Sequence, residues 1–409
     1  MVPAFCCAGY GGRVRRPGLI VLLGALTAFG PMSIDMYLPA FPVLTRHFHA
    51  SPAQVQLTLT ACLAGLALGQ LGYGPMSDAL GRRRPLYGGL VAYVLASGLC
   101  IVAPSIGVLV GLRFVQGLGG AAGIVIARAM VRDMYDGTAA ARFFSMLMAV
   151  NGLAPILAPL LGSQIMRYGS WTGVFAVLTG YGLVLLGTAY RLPETLPPQR
   201  RRSGRLGDTL ATFGRLSRDR AFIGYAVCGG LVFAAMFAYI AGSPFVLQEI
   251  YHVSPQSFAL AFGANALGIV LFGQLNSVLL RRFGARVLLS VLLCVHLAGA
   301  LGVLAAVASG SHHLYWLLPP LFLTVASVGV VLPNTTALAL SGHADAAGSA
   351  SAVLGVGQFL FGALAAPLVG LGGGGTALPM AVLILALSVA ANVALRTLAR
   401  TPVPVPFPT

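Results

Sequence analysis

The sequence predicts an all-α membrane protein built of twelve transmembrane helices in two six-helix pseudo-repeats. Of its 409 residues, 57% are hydrophobic and 8% charged, too little charge to cover a soluble globule. Apolar runs of about twenty residues, the length a helix needs to cross hydrocarbon, follow one another along the chain. The loops between them are by turns rich and poor in arginine.

That alternation sets the expected topology. The formal net charge is +16, there is no lysine, and all 25 basic residues are arginine. Such a balance first suggests nucleic acid, but the arginines form no face, so no nucleic-acid partner is expected. They cluster at Arg13 to Arg16, Arg82 to Arg84, Arg132 and Arg142, Arg200 to Arg220, Arg281 to Arg286, and Arg396 and Arg400. The intervening loops hold only Arg46 and Arg167. By the positive-inside rule both termini lie in the cytoplasm. The six cysteines suggest neither a disulfide framework nor a metal site. The apolar run after residue 18 lacks a cleavage site and reads as a first membrane helix.

Taken in order, the runs predict helices near 18–41, 55–76, 86–104, 107–131, 142–165 and 170–190, then 221–241, 257–280, 286–308, 315–340, 349–371 and 377–399. Residues 1–190 and 221–400 are thus two six-helix bundles. Residues 191–220, with three prolines and the densest arginine run, read as a cytoplasmic linker carrying an interfacial amphipathic piece. The tail 401–409 has proline at every second position and reads as a short polyproline segment. An internal repeat supports the division: Leu68-Gly69-Gln70-Leu71 followed by Gly81-Arg82-Arg83 recurs as Phe272-Gly273-Gln274-Leu275 followed by Gly284-Ala285-Arg286. Arg281 stands in the second copy where the first has Asp78, so only the first copy is expected to latch.

The first copy is a charged turn, Gly74-Pro75-Met76-Ser77-Asp78-Ala79-Leu80-Gly81-Arg82-Arg83-Arg84, between two apolar runs. Gly74 and Gly81 would permit close backbone approach, and Asp78 with the arginines suits a pin between neighbouring helices. A generic positive-inside loop is the competing reading. The spacing resembles the loop between helices two and three of the major facilitator superfamily. That resemblance implies a gate built on Gly74, Asp78, Gly81, Arg82 and Arg83, holding one state through contacts with the partner half; Asp133 is a further candidate partner for Arg82. The fifth run carries Pro155, Pro159 and Gly162 in a Pro-x-x-x-Pro-x-x-Gly pattern similar to the fifth-helix motif of that superfamily's antiporters, though Ala154 stands where the family has glycine.

Of nine acids, eight fall in or beside loops; the ninth, Asp35, lies inside the first run. A carboxylate at mid-helix costs about 2.5–3.5 kcal/mol on insertion scales, so it should face the bundle interior or a wet cavity. An acid that can be filled and emptied there is what proton coupling requires; an interfacial aspartate capping a helix broken near Pro39 is the alternative. Arg113 is the basic residue at comparable depth, within a glycine-rich stretch that resembles the superfamily's fourth-helix motif, and is expected to act with Asp35. Snorkelling to the outer interface is its alternative. Arg128 is expected to anchor an interface. Helix position and polarity nominate Tyr37, Met146, Asn151, Tyr239, Asn265, Asn334 and Gln358 as substrate-lining. His296 stands alone in the ninth run.

Further stretches, Ile34-Asp35-Met36-Tyr37-Leu38-Pro39, Pro193-Glu194-Thr195-Leu196-Pro197, Ser243 to Glu249 and Gly348 to Ala352, resemble the Bcr/CflA drug-resistance transporters of bacterial inner membranes. The resemblance implies proton-coupled efflux of drugs or other small molecules from a multi-pass inner-membrane protein, with small-molecule substrate, protons and the lipid bilayer as partners. A proton-linked importer or metabolite carrier of the same fold is the alternative, since fold does not set direction. A monomer is expected. No Walker sequence, cofactor site or nucleophile-and-base set is visible, so neither ATP hydrolysis nor enzymatic activity is expected.

Overall fold

The computed structural model describes residues 16–135, 137–201, 214, 216, 218–310, 313–341, 347–373 and 375–399. In the first half these form helices Arg16–Thr27 (α1), Phe29–Asp35 (α2), Phe41–Phe48 (α3), Pro52–Leu80 (α4), Arg83–Ile101 (α5), Ile106–Met134 (α6), Gly137–Tyr168 (α7) and Trp171–Ala189 (α8). The second half holds Arg220–Phe245 (α9), Pro255–Leu279 (α10), Ala285–Ala308 (α11), Leu314–Leu340 (α12), Ala347–Gly370 (α13) and Leu378–Thr397 (α14). Among the described residues no strand occurs. Among the described residues eleven helices are long and apolar enough to span a bilayer, and the bent pair 18–27 and 29–48, taken as one span, makes twelve. Side chains fix several starts: Ser51 with Gln54 closes a capping box on α4, and Asp219 accepts the Ala221 amide at 2.8 Å to open α9. The expected amphipathic piece of the linker and the tail 401–409 lie outside the described residues.

The first span differs from the single helix expected at 18–41. It runs on to Phe48 and bends by 49°. Proline arithmetic explains both of its breaks. Pro31 has no N–H for the Thr27 carbonyl and crowds it, and α1 stops at Thr27. Pro39 stands in the same relation to Asp35, and α2 stops at Asp35, followed by a tight 3₁₀ turn over Leu38–Ala40.

The two halves repeat one packing scheme. In the first, α4 crosses α6 so closely that a Cβ on Gly117 would fall on the Cys62 carbonyl. In the second, α10 crosses α12 in the same way, with Gly329 against the carbonyl of Ile269. Small residues at such crossings let backbones approach where apolar burial alone gives helices no reason to associate in lipid. The pairs α5 with α8 and α11 with α14 are likewise equivalent. The halves meet along α4 and α13 on one side and α7 and α10 on the other. Cross-half hydrogen bonds gather towards the arginine-poor end: Gln56 Nε2 donates to the Ala241 carbonyl at 3.0 Å, Thr60 Oγ1 to Ala363 at 3.1 Å, and Gln256 Nε2 to Ser163 at 3.3 Å.

Candidate functional site

Two charged centres lie on the first half, one at the arginine-rich end and one in the interior. At the arginine-rich end α4 closes at Gly81, whose φ of 89° is one that glycine adopts without strain. Arg82, its side chain 7% exposed, then reaches back under the loop. Its Nη1 donates to Asp78 Oδ1 at 2.5 Å and Ser77 Oγ at 2.8 Å, while Nε and Nη2 grip both oxygens of Asp133 at 2.7 and 3.2 Å. Burial works against the charge on Arg82, but the bonds to Asp133 and Asp78 hold its pKa above the ordinary arginine value. Arg83 turns elsewhere, donating to the Tyr87 hydroxyl at 3.0 Å and the Tyr190 carbonyl at 3.2 Å.

Residues 194–196 complete this cluster. Glu194 accepts the backbone amides of Arg82 at 2.8 Å and Arg83 at 3.2 Å, placing a carboxylate on the first turn of α5, where the helix dipole favours negative charge. Thr195 Oγ1 donates to Asp133 Oδ2 at 2.9 Å. The named partners of Arg82 therefore belong to the first half and the start of the linker, rather than to the partner half that the resemblance implied. Gly74 also departs from expectation: a Cβ there would meet nothing within 4 Å, so it permits no close approach.

The interior centre is built on the broken first span. Asp35 ends α2 and is 5% exposed, yet its carboxylate has no hydrogen bond or ion pair with any described residue. Arg113 is fully buried and does not pair with it. Instead Nη2 donates to the Ser33 carbonyl at 2.8 Å and Nη1 to Gln116 Oε1, whose amide nitrogen donates to Ser97 Oγ at 2.7 Å. The guanidinium lies 4.9 Å from the Tyr37 ring centroid and 5.9 Å from that of Phe175. Arg113 thus pins the backbone two residues before Asp35, and the alternative of snorkelling to the outer interface does not occur. On the second half, within electrostatic reach of Asp35, is Tyr239. Its oxygen accepts from Asn265 Nδ2 at 2.8 Å, Ser243 adjoins it on its own helix, and its ring stacks on Phe262 at 5.6 Å. Behind the first span, a Cβ on Gly162 would fall on the Met36 carbonyl; α7 continues through both Pro155 and Pro159 and meets the break with that glycine.

Of the nominated lining residues the structure brings Tyr239 and Asn265 together. Three others serve within a half. Tyr37 is buried under Arg113 and accepts from Thr58 Oγ1 at 3.3 Å; Asn151 donates to Thr27 Oγ1 at 2.8 Å; Asn334 donates to Asn276 Oδ1 at 2.8 Å. Met146 and Gln358 are half-buried. His296, buried in α11, sets Nδ1 within 2.9 Å of both the Thr324 carbonyl and Ser327 Oγ, and so ties α11 to α12.

With this geometry in place, the sequence itself decides the family. Residues 23–367 match the description Major Facilitator Superfamily. The chain belongs to the major facilitator superfamily. It is therefore a multi-pass membrane transporter. It is 41% identical over 93% of its length to an uncharacterized MFS-type transporter, YdgK, of Bacillus subtilis, covering 95% of that protein. It is 31% identical to a bicyclomycin resistance protein homolog of Haemophilus influenzae, over 88% of this chain and 91% of the other. A chloramphenicol resistance protein of Pseudomonas aeruginosa is 30% identical over 92% and 89%. Among solved structures, a bacterial homologue of the lysosomal transporter Spinster aligns at a TM-score of 0.72 with 15% identity, covering 95% of this chain and 96% of that one. A D-xylose-proton symporter aligns at 0.71 with 17% identity, over 93% and 97%. These structural likenesses establish the superfamily fold.

Glu194 and Thr195 carry roles that residue-level reading missed. The signal was present: an acid between two prolines, directly after the last helix of the first half, in a stretch otherwise rich in arginine.

Proposed function

We propose that the chain exports drugs or other small molecules in exchange for protons, by alternating access, from a bacterial inner membrane with both termini in the cytoplasm. The observation that carries the reading is Asp35, a buried carboxylate without a partner among the described residues, within electrostatic reach of the Tyr239–Asn265 pair of the second half. A buried acid in a membrane span is expensive and marks an ion or substrate pathway. Asp35 takes the proton, Arg113 fixes the backbone that presents it, and Tyr239 offers the donor that a deprotonated Asp35 or a substrate can use. The resistance proteins named above support a drug-like substrate, and the arginine-rich loops support the orientation. The Arg82 cluster then faces the cytoplasm and steadies the inner end of the first half.

Moving one charge across the membrane supplies about 2.3 kcal/mol per 100 mV, enough to drive substrate against a steep gradient. Purified protein in liposomes with an imposed pH gradient should move bicyclomycin, chloramphenicol or another member of a small-molecule panel against the proton flow, and stop when an ionophore collapses the gradient. Movement in the same direction as protons, or transport indifferent to the gradient, contradicts the proposal.

A further inference from the structure

The arginine-poor end is closed by contacts between the halves. Gln56 is bonded to the Ala241 carbonyl, and Gly370 is set against the backbone of Ala53. Phe41 of the first half meets Phe245 of the second with ring centroids 5.9 Å apart. At the rim, Arg46 Nη1 donates to Glu249 Oε1 at 2.9 Å, joining residues 203 apart in sequence. Each partner sits on a terminus rather than in the middle of a span. Arg46 lies in the last turn of α3, which ends in a left-handed His49, so a cation there also complements the helix dipole. Glu249 lies on the π-helical turn Val246–Ile250, directly after α9 has passed Pro244.

We propose that Arg46 and Glu249 are a cross-half latch for this end of the transporter, a charged contact that must part whenever the central site opens to the arginine-poor side. The inference rests on the alternating-access reading given above. It makes the two ends unlike. Arg82 is buried, and its named partners lie within the first half and linker, whereas the Arg46–Glu249 pair bridges the halves and is exposed, with side chains 66% and 40% accessible. A solvated pair of this kind gives a weak bias, about two- to five-fold in an equilibrium constant. Weakness suits the role: a contact that breaks in every cycle should favour one state without trapping it. It also predicts that raised salt, which screens exposed pairs, loosens the same end.

The test is a charge-swap cycle read by distance. In a cysteine-free background of the full chain in lipid nanodiscs, spin labels at Tyr168→Cys and Tyr315→Cys, one on each half and both exposed at this end, report its opening. Arg46→Glu and Glu249→Arg, each placing like charges opposite one another, should each raise the long-distance population relative to the short one by about two- to five-fold or more. The double variant Arg46→Glu with Glu249→Arg should restore the original ratio. Two populations that the single variants leave unchanged, or a double variant that fails to restore the ratio, overturn the latch while leaving alternating access intact. A single distance in every variant, with and without a pH gradient, overturns both.

Discussion

Arg82 illustrates how much a residue's surroundings decide. Both of its acids sit within hydrogen-bond reach, but Asp133 is 14% exposed and held by two bonds, whereas Asp78 is 53% exposed and held by one. Charge-assisted bonds in a sheltered site are worth about 1.5–3 kcal/mol, and exposed pairs about 0–1 kcal/mol. Asp133→Asn should therefore lower the stability of the detergent-solubilised protein by about 1.5–3 kcal/mol, and Asp78→Asn by under about 1 kcal/mol. Thermal unfolding of the two variants side by side checks the order; equal losses would mean that Asp78 is less solvated than its geometry indicates. The sequence offered Asp133 beside Asp78 as a candidate partner for Arg82. Asp133 is 51 residues distant, and the packing of α4, α5 and α6 brings it in.

At the scale of elements, the helices were legible because run length is a strong signal in a bilayer. Eleven of the twelve expected spans lie within about five residues of the observed helices at each end. The first was not, although its prolines carried the information: Pro31 and Pro39 each forbid the hydrogen bond to the residue four before, and the helix breaks there. Which way a helix faces was far less legible. Lipid is as apolar as the bundle interior, so the polarity stripe that marks a buried face in a soluble protein is absent. Asn334 was accordingly placed on the pathway, while in the fold it bonds Asn276 within the second half. Gly162 and Gly74 make the same point in glycine. Gly162→Ala sets a methyl against the Met36 carbonyl and should cost about 1–3 kcal/mol and impair transport. Gly74→Ala meets open space within α4 and should be neutral, or stabilising by up to about 1 kcal/mol. Melting temperatures and transport rates of the pair check both; a tolerated Gly162→Ala would mean that the broken span is free to shift away from α7.

Over the whole molecule, the pseudo-repeat lays out two similar bundles, and function enters where they differ. The first half carries the broken span, the buried Asp35, the pinned Arg113 and the Arg82 cluster. The second answers with Tyr239, Asn265 and a largely uncharged interior in which His296 is tied to α12. On this account a proton on Asp35 changes what the seam can hold: with the carboxylate charged, Tyr239 and water or a substrate donor are drawn to it, and with it neutral the two halves can close over it at lower electrostatic cost. Arg113 takes no direct part in the charge, because it is already bonded to Ser33 and Gln116 inside the first half. The most direct measurement is substrate-induced proton release from purified protein, followed at several pH values in wild type and in Asp35→Asn. Wild type should release protons as substrate binds, and Asp35→Asn should bind substrate and release none. Release that persists unchanged in Asp35→Asn would show that the proton rides on another group and contradict the account at its centre.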